Sequence, residues 1–222
     1  MKKPPRVALI GAGKFSDSPI TRMRFVEAQL GPVKAPSLRV ASRIANSLRS
    51  GHPVATYEEF ENCDLILISV PDPLLATMIG ELATGLSTWR EKVVVACSVH
   101  AGCEQLASLA DCGATTGTLA MIPGYEDRWL LLEGEKAVER KIRPLLADLR
   151  VTAIGAFQKR HYLKALAGLG QQFLPCLKLA MDELKTSGIG GTEASEIVER
   201  QVARTMRSYF RSGLSTARGT PT

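Results

Sequence analysis

Near the start of the chain, Gly11-Ala12-Gly13-Lys14-Phe15-Ser16 has the spacing G-x-G-x-x-S. A glycine in the first position permits a tight turn, one in the second lets the backbone approach a pyrophosphate, and a small third residue allows a helix to pack on a strand. The segment directly follows the apolar run Arg6-Val-Ala-Leu-Ile10 and precedes a helical stretch, so it reads as a phosphate cradle in a β-α-β unit. Ser42-Arg43, 32 positions after Gly11, stands at the end of the second expected strand. An enzyme built for NAD would place an acid there to hold the ribose 2′-OH. A hydroxyl and a guanidinium fork suit a 2′-phosphate instead, which makes NADP the expected cofactor. Open α/β sheets take ligands outside the carboxyl ends of their strands. Val70-Pro71-Asp72-Pro73, Ser98-Val-His100-Ala-Gly102 and Pro123-Gly-Tyr125-Glu126 leave three such ends. The expected cofactor-binding set is therefore Gly11, Gly13, Lys14, Phe15, Ser16, Ser42, Arg43, Val70, Pro71 and Ser98. His100 is either a proton donor or a structural loop histidine.

These residues need a scaffold of alternating strands and helices. Strands are expected at Arg6–Ile10, Leu38–Ala41, Asp64–Val70, Lys92–Cys97 and Gly117–Ile122, with an added strand over Trp129–Leu132. Helices are expected near 19–30, 42–50, 73–85, 103–110 and 135–149. Uninterrupted apolar strands imply a sheet covered on both faces. The expected fold class is thus α/β, a Rossmann-type doubly wound parallel sheet with a small C-terminal all-helical domain. Strand signals stop after residue 157. Leu163, Leu166, Phe173, Leu177 and Leu184, with Gly170 and Met181 between, then fall close to a seven-residue repeat, predicting one long helix or two halves kinked at Pro175. Gly188-Ile-Gly-Gly191 breaks the pattern, and Thr192 can N-cap a second helix. The expected domains are 1–157, binding NADP, and 158–222, helical and carrying substrate and dimer contacts.

The chain has 222 residues, 45% hydrophobic and 23% charged, with a net charge of +6. Its Lys and Arg are spread along the chain without an aromatic-interleaved basic stripe, so nucleic acid is not an expected partner. No apolar run approaches the roughly 20 residues of a spanning helix, so no membrane is expected either. The five cysteines form no C-x-x-C pair and read as reduced, half-buried thiols of a cytoplasmic protein. Cys97, His100 and Cys103 lack a fourth ligand at finger-like spacing, so no metal is expected.

Taken together, Val7-Ala-Leu-Ile-Gly-Ala-Gly-Lys-Phe15, the Asp64-to-Pro71 strand, Lys92-Val-Val-Val before Ala101-Gly102, and Met121-Ile-Pro123-Gly carry a family likeness. So does Ala165-Leu-Ala-Gly168-Leu-Gly170-Gln-Gln-Phe173, with Arg218-Gly219-Thr220-Pro221-Thr222. The chain resembles the 6-phosphogluconate-dehydrogenase-like superfamily and, within it, the pyrroline-5-carboxylate reductases. A sister group with a similar Rossmann half and an Ala-Arg-Gly-Asp ending fits Ala217-Arg218-Gly219 equally well. The resemblance implies hydride transfer from NADPH to a small C=N or C=O compound, with Lys164, Gln171 and Tyr125, joined by Thr220, contacting substrate. It also implies a homodimer formed through residues 160–213. The family's substrate-helix serines are Ala167 and Leu169 here, its proline is Gln171, and its Asn after Met-Pro is Gly124. These departures leave a second expectation, a non-catalytic NADP(H)-binding protein of the same fold.

Overall fold

The computed structural model describes residues 5–13, 15, 18–25, 30–146 and 148–212. Lys14, Ser16 and Thr220 lie outside the described residues, as does the Ala217–Thr222 ending. The chain divides into two compact units, Met1–His161 and Tyr162–Thr222.

The first unit is a doubly wound sheet of eight strands in the order β3-β2-β1-β4-β5-β6-β7-β8. These are β1 (Val7–Gly11), β2 (Leu30–Lys34), β3 (His52–Pro53), β4 (Leu65–Ser69), β5 (Val93–Ala96), β6 (Thr115–Met121), β7 (Trp129–Gly134) and β8 (Arg150–Ile154). All pairings are parallel except β6 with β7. Side chains alternate across the sheet, so each strand feeds two cores. Val7, Leu9, Leu65, Leu67, Val93 and Val95 pack with α1 (Leu38–Leu48) and α4 (Lys136–Leu146). Ala8, Ile10, Ile66, Ile68, Val94 and Ala96 pack with α2 (Asp72–Gly85) and α3 (Ala107–Asp111).

The sheet departs from the sequence expectation at its second strand. Leu38–Ala41 is not a strand but the first turn of α1, and β2 lies upstream at Leu30–Lys34. Ala41, Ile44 and Ala45 are buried at helical spacing, and the Ser37 hydroxyl caps the helix by accepting from the Val40 N–H at 3.3 Å. Pro32 disguises β2 because it donates no ladder hydrogen bond. Accordingly, the β1–β2 register shifts between Val7 and Leu9. Ser42 and Arg43 therefore sit inside α1 and not at a strand end. The helix expected near 19–30 is also absent among the described residues, where a 3-10 turn, Pro19–Arg22, leads toward β2. Strands β3 and β8, unexpected from sequence, complete the sheet edges.

Helix α5 (Ala156–Thr186) begins in the first unit and runs through Pro175, and α6 (Gly191–Ser212) follows in the second unit. Thr192 is the second residue of α6 and does not precede it. Replacing Ser37 with Ala should cost about 1 kcal/mol in urea unfolding, the usual loss of an N-cap. No change would return residues 38–41 to an extended conformation.

Candidate functional site

Parallel pairing fixes where the expected site residues gather. Gly11 pairs with Ser69 at the carboxyl ends of β1 and β4, and Ile68 pairs with Ala96 at the end of β5. The Ala12 N–H donates to the Ser69 carbonyl at 3.0 Å, which closes the glycine turn onto β4. Gly13 holds φ +78°, and a Cβ there would lie 3.1 Å from Pro71 Cγ. Only glycine relieves both constraints. Phe15 lies against Gly11, where an added Cβ would meet its ring at 2.6 Å. The Ser18 and Ser69 hydroxyls, both buried, share a hydrogen bond of 2.7 Å beneath this turn. Gly11, Gly13, Phe15, Val70 and Pro71 therefore converge on one edge.

Ser98 joins them from the loop after β5. Its hydroxyl donates to Asp72 Oδ1 at 2.7 Å and accepts from the His100 and Ala101 N–H groups, each at 3.1 Å. One side chain thus ties the start of α2 to this loop. Tyr125 stands in the turn between β6 and β7, 42% exposed. Its ring meets Trp129 edge-on at 5.4 Å, with the Arg128 guanidinium 5.3 Å from its centroid. Lys164 and Gln171 lie seven residues apart on one exposed face of α5, in the second unit. His100 is exposed, and its side chain does not enter the Ser98 hydrogen bonds.

The edge also shows what the sequence reading missed. Lys34-Ala35-Pro36-Ser37 leaves β2, so the residues at its carboxyl end are Ser37 and the first turn of α1, including Arg39. Arg43 follows one turn later on the same exposed face of α1. The buried ion pair between Lys159 Nζ and Glu133 Oε2, at 3.2 Å, was missed entirely. Lys159, in the first turn of α5, is 2% exposed, and its ammonium also donates to the Ala101 carbonyl and Thr118 Oγ1. Thr118 in turn donates to Glu133 Oε2 at 3.0 Å. The sequence signal was an acid directly after the apolar run Trp129–Leu132, a position where burial demands a partner.

Burial raises the thiols near this edge. Cys97 is pushed up to about 12 by desolvation. Cys103 also reaches about 12, through desolvation and then the nearby Glu133 carboxylate. Neither is a thiolate nucleophile at neutral pH. Among the described residues no three His, Cys, Asp or Glu gather to hold a metal, and no helix is long and apolar enough to cross a membrane.

A family model described as a Rossmann-like domain matches residues 3–123. The chain belongs to the Rossmann-like domain family. Comparison with curated proteins finds no match. Among solved structures, this Rossmann-like chain is similar to an imine reductase from Bacillus cereus, with 16% identity and a TM-score of 0.70 over 92% of this chain and 74% of that one. It is similar to an imine reductase from Aspergillus terreus in complex with NADPH4 and dibenz[c,e]azepine, at 16% identity and a TM-score of 0.68 over 94% and 74%. An imine reductase from Myxococcus stipitatus in complex with NADP+ gives 19% identity and a TM-score of 0.67 over 98% and 80%. At such identities the likeness is one of fold.

Two outcomes follow from these burials. In the native protein iodoacetamide should label exposed Cys112 and Cys176 and spare buried Cys97 until unfolding, as read by mass spectrometry; native labelling of Cys97 would contradict its position. Lys159→Met should lower stability in urea by about 3–5 kcal/mol, because Glu133 would remain buried without its counter-charge. A loss below about 1 kcal/mol would mean the pair is not buried as described.

Proposed function

We propose that the protein is an NADP(H)-dependent reductase of small C=N compounds, of pyrroline-5-carboxylate reductase type. The carrying observation is the Gly11–Gly13 turn at positive φ, closed against Ser69 and Pro71 at the carboxyl edge of a Rossmann-type sheet. The fold of imine reductases, one of them in complex with NADP+, supports the choice of cofactor and substrate class. Gly11, Gly13 and Phe15 would receive the dinucleotide, with Lys14 and Ser16 from the same sequence segment. Among the described residues the turn is followed by a 3-10 turn, Pro19–Arg22. Charge for a 2′-phosphate would come from α1. Arg39 takes the near position with the amides of the Ser37-capped first turn, and Arg43 stands one turn behind. Ser37 takes the place that sequence reading gave to Ser42.

When bound, NADPH supplies the hydride. The protein's part is to orient two reactants and exclude water. Val70, Pro71 and Ser98 would flank the reacting edge, with Tyr125, Lys164 and Gln171 as the proposed substrate contacts. Gln171 can donate to a substrate carboxylate but cannot act as an acid at neutral pH. An imine that arrives protonated needs no acid, which favours imines over ketones.

The helical unit supports a homodimer made through residues 160–213. Leu169, Leu174, Leu179 and Phe210 are each more than 60% exposed there, and Ala194 is the one fully covered apolar residue among the described residues of this unit. A second copy laid on these faces would cover them.

NADPH oxidation with pyrroline-5-carboxylate and a matched ketoacid tests the chemistry. The imine should be turned over faster, and Gln171→Ala should raise its KM. Tight NADPH binding with neither compound reduced would favour a non-catalytic NADP(H)-binding protein. NADPH should bind more tightly than NADH, and Arg39→Ala should cost NADPH about tenfold or more in Kd by fluorescence titration, with Arg43→Ala costing less. Equal affinities in the unaltered protein would overturn the NADP assignment. Light scattering at micromolar concentration should report a dimer, and a monomer would count against the helical interface.

A further inference from the structure

A buried ammonium with three oxygen acceptors from three different segments is an unusual anchor for a helix. A lysine spends its stem and charge in this way only where the surroundings satisfy all three N–H groups. Lys159 meets that demand with the Ala101 carbonyl after β5, Thr118 Oγ1 on β6 and Glu133 Oε2 on β7. The Lys159 N–H itself donates to the Gly155 carbonyl at 3.0 Å, so the anchoring residue is locked into its own helical turn. Thr118 and Glu133 are register partners, and Thr118 pairs with Ala96, so the cluster sits beside the end of β5.

The Ala101 carbonyl decides the consequence. The N–H of Ala101 is held by the Ser98 hydroxyl, which is itself tied to Asp72. Both polar groups of Ala101 are therefore fixed, one toward α2 and one toward α5. A continuous chain of contacts runs Asp72, Ser98, Ala101, Lys159, Glu133, with Thr118 bracing the last link. Ala101 and Gly102 are buried although they lie in a loop, whereas Val99 is half-buried and His100 exposed. The loop is thus pinned at its far end, not by its own packing alone.

We infer that Lys159 is a positioning residue for the reaction: from the root of α5 it fixes the Ser98–Gly102 loop at the carboxyl edge of the sheet. The inference deepens the reductase reading and rests on it for its catalytic consequence, because this loop carries Ser98 to the proposed cofactor edge. Lys159 touches neither cofactor nor substrate in this account. Its three donors are consumed within the first unit, which leaves none to act as an acid.

The test separates positioning from stability. Lys159→Met strands a buried carboxylate and lowers stability by itself. The double variant Lys159→Met, Glu133→Leu removes both charges and should unfold close to the unaltered protein, since paired removal of a buried ion pair is often nearly neutral. It still leaves the Ala101 carbonyl without its donor. Amide hydrogen exchange across residues 98–102 should therefore remain faster in the folded double variant, and kcat for the imine should stay roughly 10–100-fold down with KM little changed. A double variant that regains stability, loop protection and kcat together would overturn the inference and leave Lys159 with a purely structural role. If the unaltered protein turns over no imine, the reductase reading fails by itself. The exchange measurement then still decides: protection of 98–102 equal to the unaltered protein overturns the loop anchor, and loss of protection upholds it.

Discussion

Parallel strands that share one register must all end on the same side. In this protein β1, β4, β5 and β6 pair residue for residue, from Ile10 through Ile68 and Ala96 to Thr118, so their following loops are delivered to one edge. That register is enforced by burial on both faces: a slip of one residue in β4 would exchange Leu65 and Leu67 for Ile66 and Ile68 between two cores already filled. The glycine turn, the Pro71 turn and the Ser98 loop are brought to one edge by this constraint before any contact among them forms. Hydrogen bonds then set the fine geometry, the Ala12 amide on Ser69 and the Ser98 hydroxyl on Asp72.

At one point of that edge the chain uses charge. Lys159 and Glu133 are both nearly inaccessible, and an ion pair at such depth adds little net stability over apolar side chains of the same size. Its value lies in direction. An ammonium accepts only arrangements that satisfy its three donors, so it specifies where Ala101, Thr118 and the first turn of α5 must stand relative to one another. Apolar packing at the same place would tolerate small displacements. A site that works by orienting reactants gains from the less tolerant solution.

Much of this was legible from the sequence because the central strands are short uninterrupted apolar runs bounded by polar or turn-forming residues, a pattern with few alternative readings. Asp64–Val70 and Lys92–Cys97 were placed to within a residue or two of β4 and β5. Edge elements were harder. Strand β2 carries Gly31 and Pro32, which read as a turn, while Val40 and Ala41 read as strand although they lie in α1 beside the buried pattern Ala41, Ile44, Ala45. That one displacement put Ser42 and Arg43 at an expected strand end, whereas they lie inside α1. Strand β8, Arg150-Val-Thr-Ala-Ile154, is short and only partly buried, so its brief alternation is a weak signal. Glu133 directly after the apolar run Trp129–Leu132 signals a buried acid, but its partner Lys159 could not be read, since the two meet only where the first turn of α5 packs against β6 and β7. Local pattern carries no information about such a meeting.

The central claim is hydride transfer from NADPH to a C=N carbon. NADPH deuterated at C4 of the nicotinamide, in each of its two stereochemical forms, tests it directly with a cyclic imine as acceptor and mass spectrometry of the amine. The account predicts one deuterium per product molecule, on the former imine carbon, from one form of the cofactor and not the other. Product without deuterium from either form, or no amine while NADPH remains tightly bound, would contradict it.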